Sequence, residues 1–475
     1  MKTSGAYQKI VLSLKRRKNG ATVADVCAAT ALPLSTVSEF LPKAADEYSG
    51  RLQVTESGEI LYTFPNGFTS RYRGFYAALK KAAGGFSRVM RSVLTFLFKA
   101  WIMVMLVGYF VFFIALVILS IAAAGSSKNR SSSRSGTSLF NFLWRVWFYN
   151  EVARPRYRKT VKREKQTRPI HKAVFSFVFG EDEPNKDWEE KERKAIIAYI
   201  QANNGVISLP EYMAFSGQNS LEAEDSILAF CVQFSGSPEA TEEGTIVYRF
   251  DELLLRADSA AFSELSPPVK QLKTFSSNTK STNVWFTVLN AVNLFFGSYF
   301  LYHSVATGLL ITPEQYQAAS YLYAFTHMLF QTGASDPVTL LKVALGFVPL
   351  IFSLFFWLIP AMRFFSESKE NDEIKLSNFK RFGFGKIWST PLNVEIKDLS
   401  VTARECCPRN MAAAGEQVVK DMGAVSSPDI EIGEKFETKY SFRELEAEKR
   451  ALEKYRNSLN PGRTALGETV FDSGE

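Results

Sequence analysis

The sequence predicts a multi-domain α+β membrane protein. Three observations carry that prediction. The stretch Val54-Thr-Glu-Ser-Gly-Glu-Ile-Leu-Tyr-Thr-Phe64 returns, hardly changed, as Ala240-Thr-Glu-Glu-Gly-Thr-Ile-Val-Tyr-Arg-Phe250. Each has a polar turn with Gly58 or Gly244, where positive φ is easiest, followed by an alternating strand, which is a hairpin pattern. Long charge-free runs alternate with strongly charged stretches, as they do when membrane helices separate water-facing domains.

Residues 1–66 form the first unit. Tyr7–Lys18 has helical spacing with Ile10, Val11 and Leu14 on one face. Thr22 caps a second helix, and Ser35 or Thr36 opens a third before the hairpin. Helix, helix-turn-helix and hairpin in that order is a winged-helix-like arrangement. Asn204-Gly205 to Phe250 repeats it one residue longer than Asn19-Gly20 to Phe64 and defines a second unit, 173–256, whose first helix is Glu189–Asn203. A fainter copy ends at Lys439-Tyr440-Ser441-Phe442, in a third unit, 375–457, that closes on a charged helix. Residues 458–475 read as a disordered tail.

Between the units lie the membrane segments. A basic, aromatic connector, 67–92, includes Arg88 and Arg91 and leads into Val93–Ala124, which has no charge after Lys99. Thirty-two helical residues would reach about 48 Å, too long for one upright span of a ~30 Å core. Both flanks are basic, with Arg88, Arg91 and Lys99 before and Lys128, Arg130 and Arg134 after. Segment 93–124 is therefore either a span or a re-entrant hairpin turning near Gly108, and the charge bias favours the hairpin. Linker 125–172 carries an interfacial helix, Leu139–Tyr149, with Trp144, Arg145 and Trp147 at headgroup level. From Ser126 to Lys172 there are thirteen Lys and Arg against two acids. Two clean spans follow, 284–311 and 342–363, joined by loop 312–341, which lacks any basic residue before Lys342 and so faces away from the cytoplasm. All three units then share the cytoplasmic side.

Candidate sites are few. The net charge of +8 sits mostly beside the first hydrophobic run, which suits anionic headgroups better than nucleic acid. The third helices argue the same way. Direct readout of DNA needs Arg, Lys, Asn or Gln at their exposed starts. Ser35–Glu47 is net acidic, and Ser220–Phe230 has three acids and no base. Glu181, Asp182, Glu183 and Asp187 put four carboxylates in seven residues, enough oxygen for Ca²⁺ or Mg²⁺. They lack EF-hand spacing, and a turn built on Pro184 and Asp187 is the simpler reading. Asn290, Asn293 and His303 lie within a span; interhelical hydrogen bonding explains them better than a transport path. Four scattered cysteines and three histidines offer no zinc or iron–sulfur spacing, and no nucleotide-binding or hydrolase motif occurs. No cofactor is expected.

Phe175-Ser-Phe-Val-Phe-Gly-Glu-Asp-Glu-Pro-Asn185, together with the second hairpin and the flanking membrane segments, resembles a family of uncharacterised membrane proteins of cyanobacteria and plastids with relatives in other bacteria. The family loop reads Phe-Gly-Asp-Gly-(Asp/Asn)-Pro-Asn; Phe179, Gly180, Pro184 and Asn185 match it, and Asp182 stands where the family has Gly. Some plant members are described as an iron–sulfur cluster biosynthesis family, but the cysteine-rich carrier motif behind that description is absent here. With neither signal nor transit peptide at its start, the chain reads as a bacterial cytoplasmic-membrane protein. The expected role is non-enzymatic: a membrane scaffold or assembly factor whose units bind an unknown protein partner beside an anionic bilayer. The rival is a membrane-tethered transcription regulator.

Overall fold

The computed structural model describes residues 2–17, 20–65, 67–68, 75–125, 169–257, 266–306, 341–401, 403–432, 438–459 and 466–473. The chain is a helix-dominated α+β protein with three small sheets among the described residues. It divides into two compact units. One gathers Met1–Lys81, Glu183–Leu272 and Glu370–Glu475; the other gathers Ala82–Asp182 and Lys273–Lys369.

The first unit collects the three water-facing segments as lobes. Lobe one holds α1 (Lys2–Lys15), α2 (Val23–Thr30), α3 (Leu34–Glu47), β1 (Arg51–Thr55) and β2 (Ile60–Thr63). Thr22 caps α2 through a capping box with Asp25, as its spacing demands. The cap of α3 differs from expectation. Pro33, extended at φ −55° and ψ 145°, occupies the cap position, so Ser35 and Thr36 fall inside the first turn and make no cap bond. Apolar residues of α1–α3, notably Ile10, Leu14, Val26, Val37 and Leu41, are fully buried or nearly so.

The lobe-two and lobe-three hairpins, β4 (Ser237–Ala240) with β5 (Ile246–Arg249) and β7 (Asp429–Ile432) with β8 (Thr438–Ser441), share the register of β1 and β2. The cross-strand pairs are Leu52↔Tyr62, Pro238↔Tyr248 and Ile430↔Tyr440. Each tyrosine also pairs on its other side: with Ala21, with Ile207 of β3 (Val206–Ile207), and with Val394 of β6 (Val394–Glu395). A phenylalanine follows each strand, and Phe250 and Phe442 are fully buried. Gly58 and Gly244 sit at φ +82° and +83° with open space around them, as the hairpin turn requires.

Two findings go beyond the sequence. A single apolar cluster runs through all three lobes, from Ile10, Val26 and Leu41 to Ile197, Phe230 and Phe250 and on to Phe379, Val418 and Leu445. The C-terminus, expected to be a disordered tail, instead supplies β9 (Thr469–Asp472), which pairs antiparallel with β1. Its Val470 and Phe471 give it strand character that the polar residues around it hide.

The second unit is a helical bundle. Among the described residues, three helices are long and apolar enough to cross a membrane: Val89–Ile118, Lys280–Tyr302 and Lys342–Ser389. The first is not a hairpin. α4 (Phe75–Met103) passes through a π-turn, Val104–Gly108, straight into α5 (Tyr109–Gly125). Gly108 alone, without proline or polar turn residues, does not break the helix, and a turn in hydrocarbon would strand its backbone groups. The helix is longer than the apolar run, since it already starts at Phe75, within the basic connector.

Leu106 shares a cluster with Phe286 and Phe356, and Phe113 one with Phe300 and Leu345. Hence α4–α5 and α10 (Lys280–Ala306) run parallel, and α11 (Val348–Ser389) runs opposite to both. The short helix α6 (Ile170–Phe179) packs beside Ile102 at the end of the bundle where α10 begins. Gly125 and Ile170 therefore lie at opposite ends of the bundle. A second π-turn, Leu341–Phe347, precedes α11. Gly297 meets the backbone of Leu350 and Gly346 that of Leu301, each about where a Cβ would clash (2.9 and 3.1 Å). α11 itself continues past the span without a break into lobe three, where a separate start near 375 was expected.

Candidate interaction sites

The motif that carries the family resemblance serves two structural joints. In the bundle unit, α6 ends at Gly180, whose φ of +85° and ψ of −167° suit glycine alone. A Cβ there would fall 2.4 Å from Arg363 Nη2. The Arg363 guanidinium donates to the carbonyls of Phe177, Val178 and Phe275, pairs with Glu367 at 2.7 Å, and lies 5.0 Å from the Phe275 ring centroid. It thus caps the open carbonyls at the end of α6. Phe179 is exposed, its ring 5.0 Å from Phe175 and 5.8 Å from Phe98.

In the lobed unit, Asn185 acts on the backbone. Its amide donates to Gln271 O at 2.7 Å and its oxygen accepts from Gln271 N at 2.9 Å. Asn378, almost fully buried, does the same to Lys270 at 2.9 Å in both directions. Two asparagines therefore hold consecutive residues of the connector to α10. Pro184 lies in the turn that leads to Asp187, the N-cap of α7 (Trp188–Ala202), although the Asp187 side chain makes no cap bond.

The four carboxylates of the loop do not converge. Glu181 accepts from the Ser176 hydroxyl and from Ser277 N. Glu183 and Asp187 line a different place, a cleft of about 790 Å³ in the lobed unit, and no group of three metal-ligating side chains occurs among the described residues. Acids outnumber bases in its lining: Glu183, Asp187, Glu189, Glu190, Glu370 and Glu373 stand against Lys9, Lys186 and Lys270. Burial resists ionisation of Glu190, but the ammonium groups of Lys194 and Lys9 outweigh it and hold the pKa below the usual carboxylate value. Trp188 forms the floor, with Lys270 5.2 Å and Arg381 4.7 Å from its ring.

Arg381 is the most heavily used cation of the unit. It is buried, donates to Phe215 O, Ser216 O and Ser377 Oγ, and pairs with Glu192 at 2.7 Å. Arg456 likewise forks onto buried Glu211 at 2.7 and 3.0 Å. Neither stood out in the sequence, because their partners come from other lobes. Two of the thiols are held in their protonated, less reactive form. Burial pushes Cys27 up to about 12 and Cys231 up to about 11.

The most accessible feature is one face of α9 (Ser220–Phe234), the third helix of lobe two. Asn219 caps it through Glu222 N, and Ala223, Ile227, Phe230 and Phe234 turn into the core. The opposite side presents Leu221, Leu228 and Val232, which are 77, 43 and 87% exposed. Spacing of seven and four residues puts them on one stripe. Exposed Glu222, Glu224 and Asp225 border it, and no base lies on the helix.

Of the expected interface residues, Arg91 is exposed on α4, and Arg88 is on the same helix. Lys128, Arg130, Arg134, Trp144, Arg145 and Trp147 lie outside the described residues, as does most of loop 312–341. Within the bundle, Asn290 and Asn293 are fully buried and donate across helices, to Ser353 O and Leu106 O, both at 2.9 Å. Leu106 lies in the first π-turn, and Ala344 O in the second accepts from Tyr109 at 2.9 Å. Two of the three accepting carbonyls, those of Leu106 and Ala344, therefore tie a π-turn to another helix.

No protein-family model matches the chain, and no solved structure does. The chain is similar to an uncharacterised chloroplastic protein of Arabidopsis thaliana. The two are 25% identical over 420 residues, covering 82% of this chain and 74% of that protein. The expected link to plastid proteins is met at that level.

Proposed function

We propose that this protein is an integral membrane scaffold whose three lobes, winged-helix-like repeats of one design, bind other proteins on the cytoplasmic side of a bacterial membrane. The observation that carries this reading is the exposed face of α9. A helix that read DNA would offer bases to the groove; this one offers a Leu-Leu-Val stripe edged with carboxylates, which phosphate repels. The partner that fits is an amphipathic segment with an apolar stripe and Lys or Arg beside it. A shared core supports one-sidedness, since lobes that pack on the same buried residues must fold in the same compartment.

The test is site-specific photo-crosslinking from Leu228 in intact cells expressing the full chain. Crosslinks to a polypeptide, lost when Leu221 and Val232 become Asp, support the scaffold. Crosslinks to DNA, or enrichment of one sequence by the purified protein at physiological salt, would establish the regulator instead. Sidedness is read separately. Ser38→Cys, Glu242→Cys and Glu444→Cys, each in a cysteine-free chain, should all resist a membrane-impermeant maleimide, and labelling of any one alone would refute the shared side.

A further inference from the structure

The bundle carries a groove whose contents the scaffold reading does not explain. It holds about 620 Å³ between α4 and α11, and its lining side chains are all apolar. Phe98 and Trp101 line it from α4, Phe355 from α11, and Phe179 from the end of α6, beside Phe98. Along the second π-turn and α11 it runs from Val343 to Ile359, roughly 24 Å at 1.5 Å per residue. Every wall from α4 and α11 belongs to a candidate span, so the groove faces hydrocarbon rather than water.

One end is marked by charge. Ile359 lies one turn before Arg363, which is fixed by its carbonyl contacts and Glu367. Lys99 Nζ rests 4.1 Å from the Phe175 ring centroid, and that ring is 5.0 Å from Phe179. Arg91 is exposed two turns earlier on the same stripe of α4, with Thr95 between. Among the described residues no acid lines the groove.

We propose that this groove binds an acyl chain of an anionic phospholipid, with the headgroup phosphate held by Lys99 and Arg91. Water has no polar partner inside the groove. The groove's length exceeds half of the ~30 Å hydrocarbon core, as an acyl chain entering from the headgroup layer requires. The cations stand at the end where that headgroup would lie, and a long basic side chain at the edge of a charge-free run reaches the phosphate layer while its stem stays in the apolar region.

The test uses the full chain, purified in detergent, delipidated and titrated separately with dioleoylphosphatidylglycerol and dioleoylphosphatidylcholine under native mass spectrometry. The expected result is one retained phosphatidylglycerol, favoured over phosphatidylcholine by about fivefold or more, as one or two surface cations allow. Lys99→Gln with Arg91→Gln should erase that preference and leave phosphatidylcholine retention unchanged. Ile351→Trp should fill the groove and lower retention of both lipids with the thermal midpoint kept. Where that variant fails to fold, phosphatidylglycerol with brominated chains should quench Trp101 in the wild type at one equivalent, with Trp101→Phe as the blank. Retention of neither lipid, equal retention by Ile351→Trp, or a dimer that excludes lipid from the groove would each overturn the proposal.

Discussion

The two compact units solve the same problem, burying polar groups, with different chemistry. The lobed unit uses full charges. Asp25 is completely buried; it faces Arg17 at 3.0 Å and Arg256 at 3.6 Å and accepts from Ala257 N. Arg381 forks onto two carbonyls and a carboxylate, and Arg456 onto one carbonyl and a carboxylate, from distant parts of the chain. In the core of the bundle the same work falls to neutral groups: Asn290, Asn293 and Tyr109, each donating to one carbonyl. Arg363, a multiply bonded ion of this unit, sits at the end of the bundle rather than in the core. A charge on a lobe stays hydrated until it meets its partner, whereas a charge on a span must enter hydrocarbon, where it is costly. Paired charge is therefore tolerated in one unit and excluded from the core of the other.

Four changes would break or sharpen that contrast, and hydrogen exchange on the full chain reads each unit separately. The largest effect is expected from Arg381→Met. It leaves Glu192 and two carbonyls without their donor, and loss of one member of a buried pair costs about 3–5 kcal/mol. Exchange should rise throughout the lobed unit. Gly297→Val comes next. Its Cβ would meet the Leu350 backbone at 2.9 Å, and overpacking of this kind costs about 1–3 kcal/mol, with faster exchange around residues 290–301 and 345–356.

The third change is one of pH. Burial, reinforced by Glu211, pushes the Glu448 pKa up to about 7 in the folded protein. The unfolded value is about 4.3, so between the two the folded state holds a proton that the unfolded state has lost. Stability from this group is complete below the unfolded value and is lost as pH rises through about 7. Glu448→Gln should therefore stabilise the lobed unit by about 1–2 kcal/mol at pH 8 and leave it unchanged near pH 4, read from the thermal midpoint at both values. The smallest effect is expected from Asn293→Ala. Interhelical hydrogen bonds in membranes average about 0.6 kcal/mol, so exchange should rise only locally, near the first π-turn. A loss as large as that of Arg381→Met would erase the distinction between the units.

Much of the local structure was legible in the sequence. The hairpins with Gly58 and Gly244, the Thr22 cap and the apolar runs all follow from short-range rules: positive φ at a turn, an orphan N–H at a helix start, hydrocarbon thickness. The interhelical role of Asn290 and Asn293 follows equally, because a buried amide in a span must find a carbonyl. The motif loop was visible as a pattern, but its meaning was not. Gly180 is glycine because Arg363, 183 positions away in the chain, occupies the space of its Cβ.

What only the tertiary structure decided are relations between distant segments. Nothing near Thr469–Asp472 says that it will extend the sheet of β1, because pairing depends on which edge is free, and that edge lies some 400 residues earlier. The merging of three lobes on one core, the parallel run of α4–α5 with α10, and the π-turn where a hairpin was expected are likewise set by which faces meet. A local sequence fixes φ, ψ and the side of a helix that is apolar. Which other apolar side it is buried against is chosen by packing the whole chain at once, and that choice placed Arg381, Arg363 and the exposed stripe of α9 where they act.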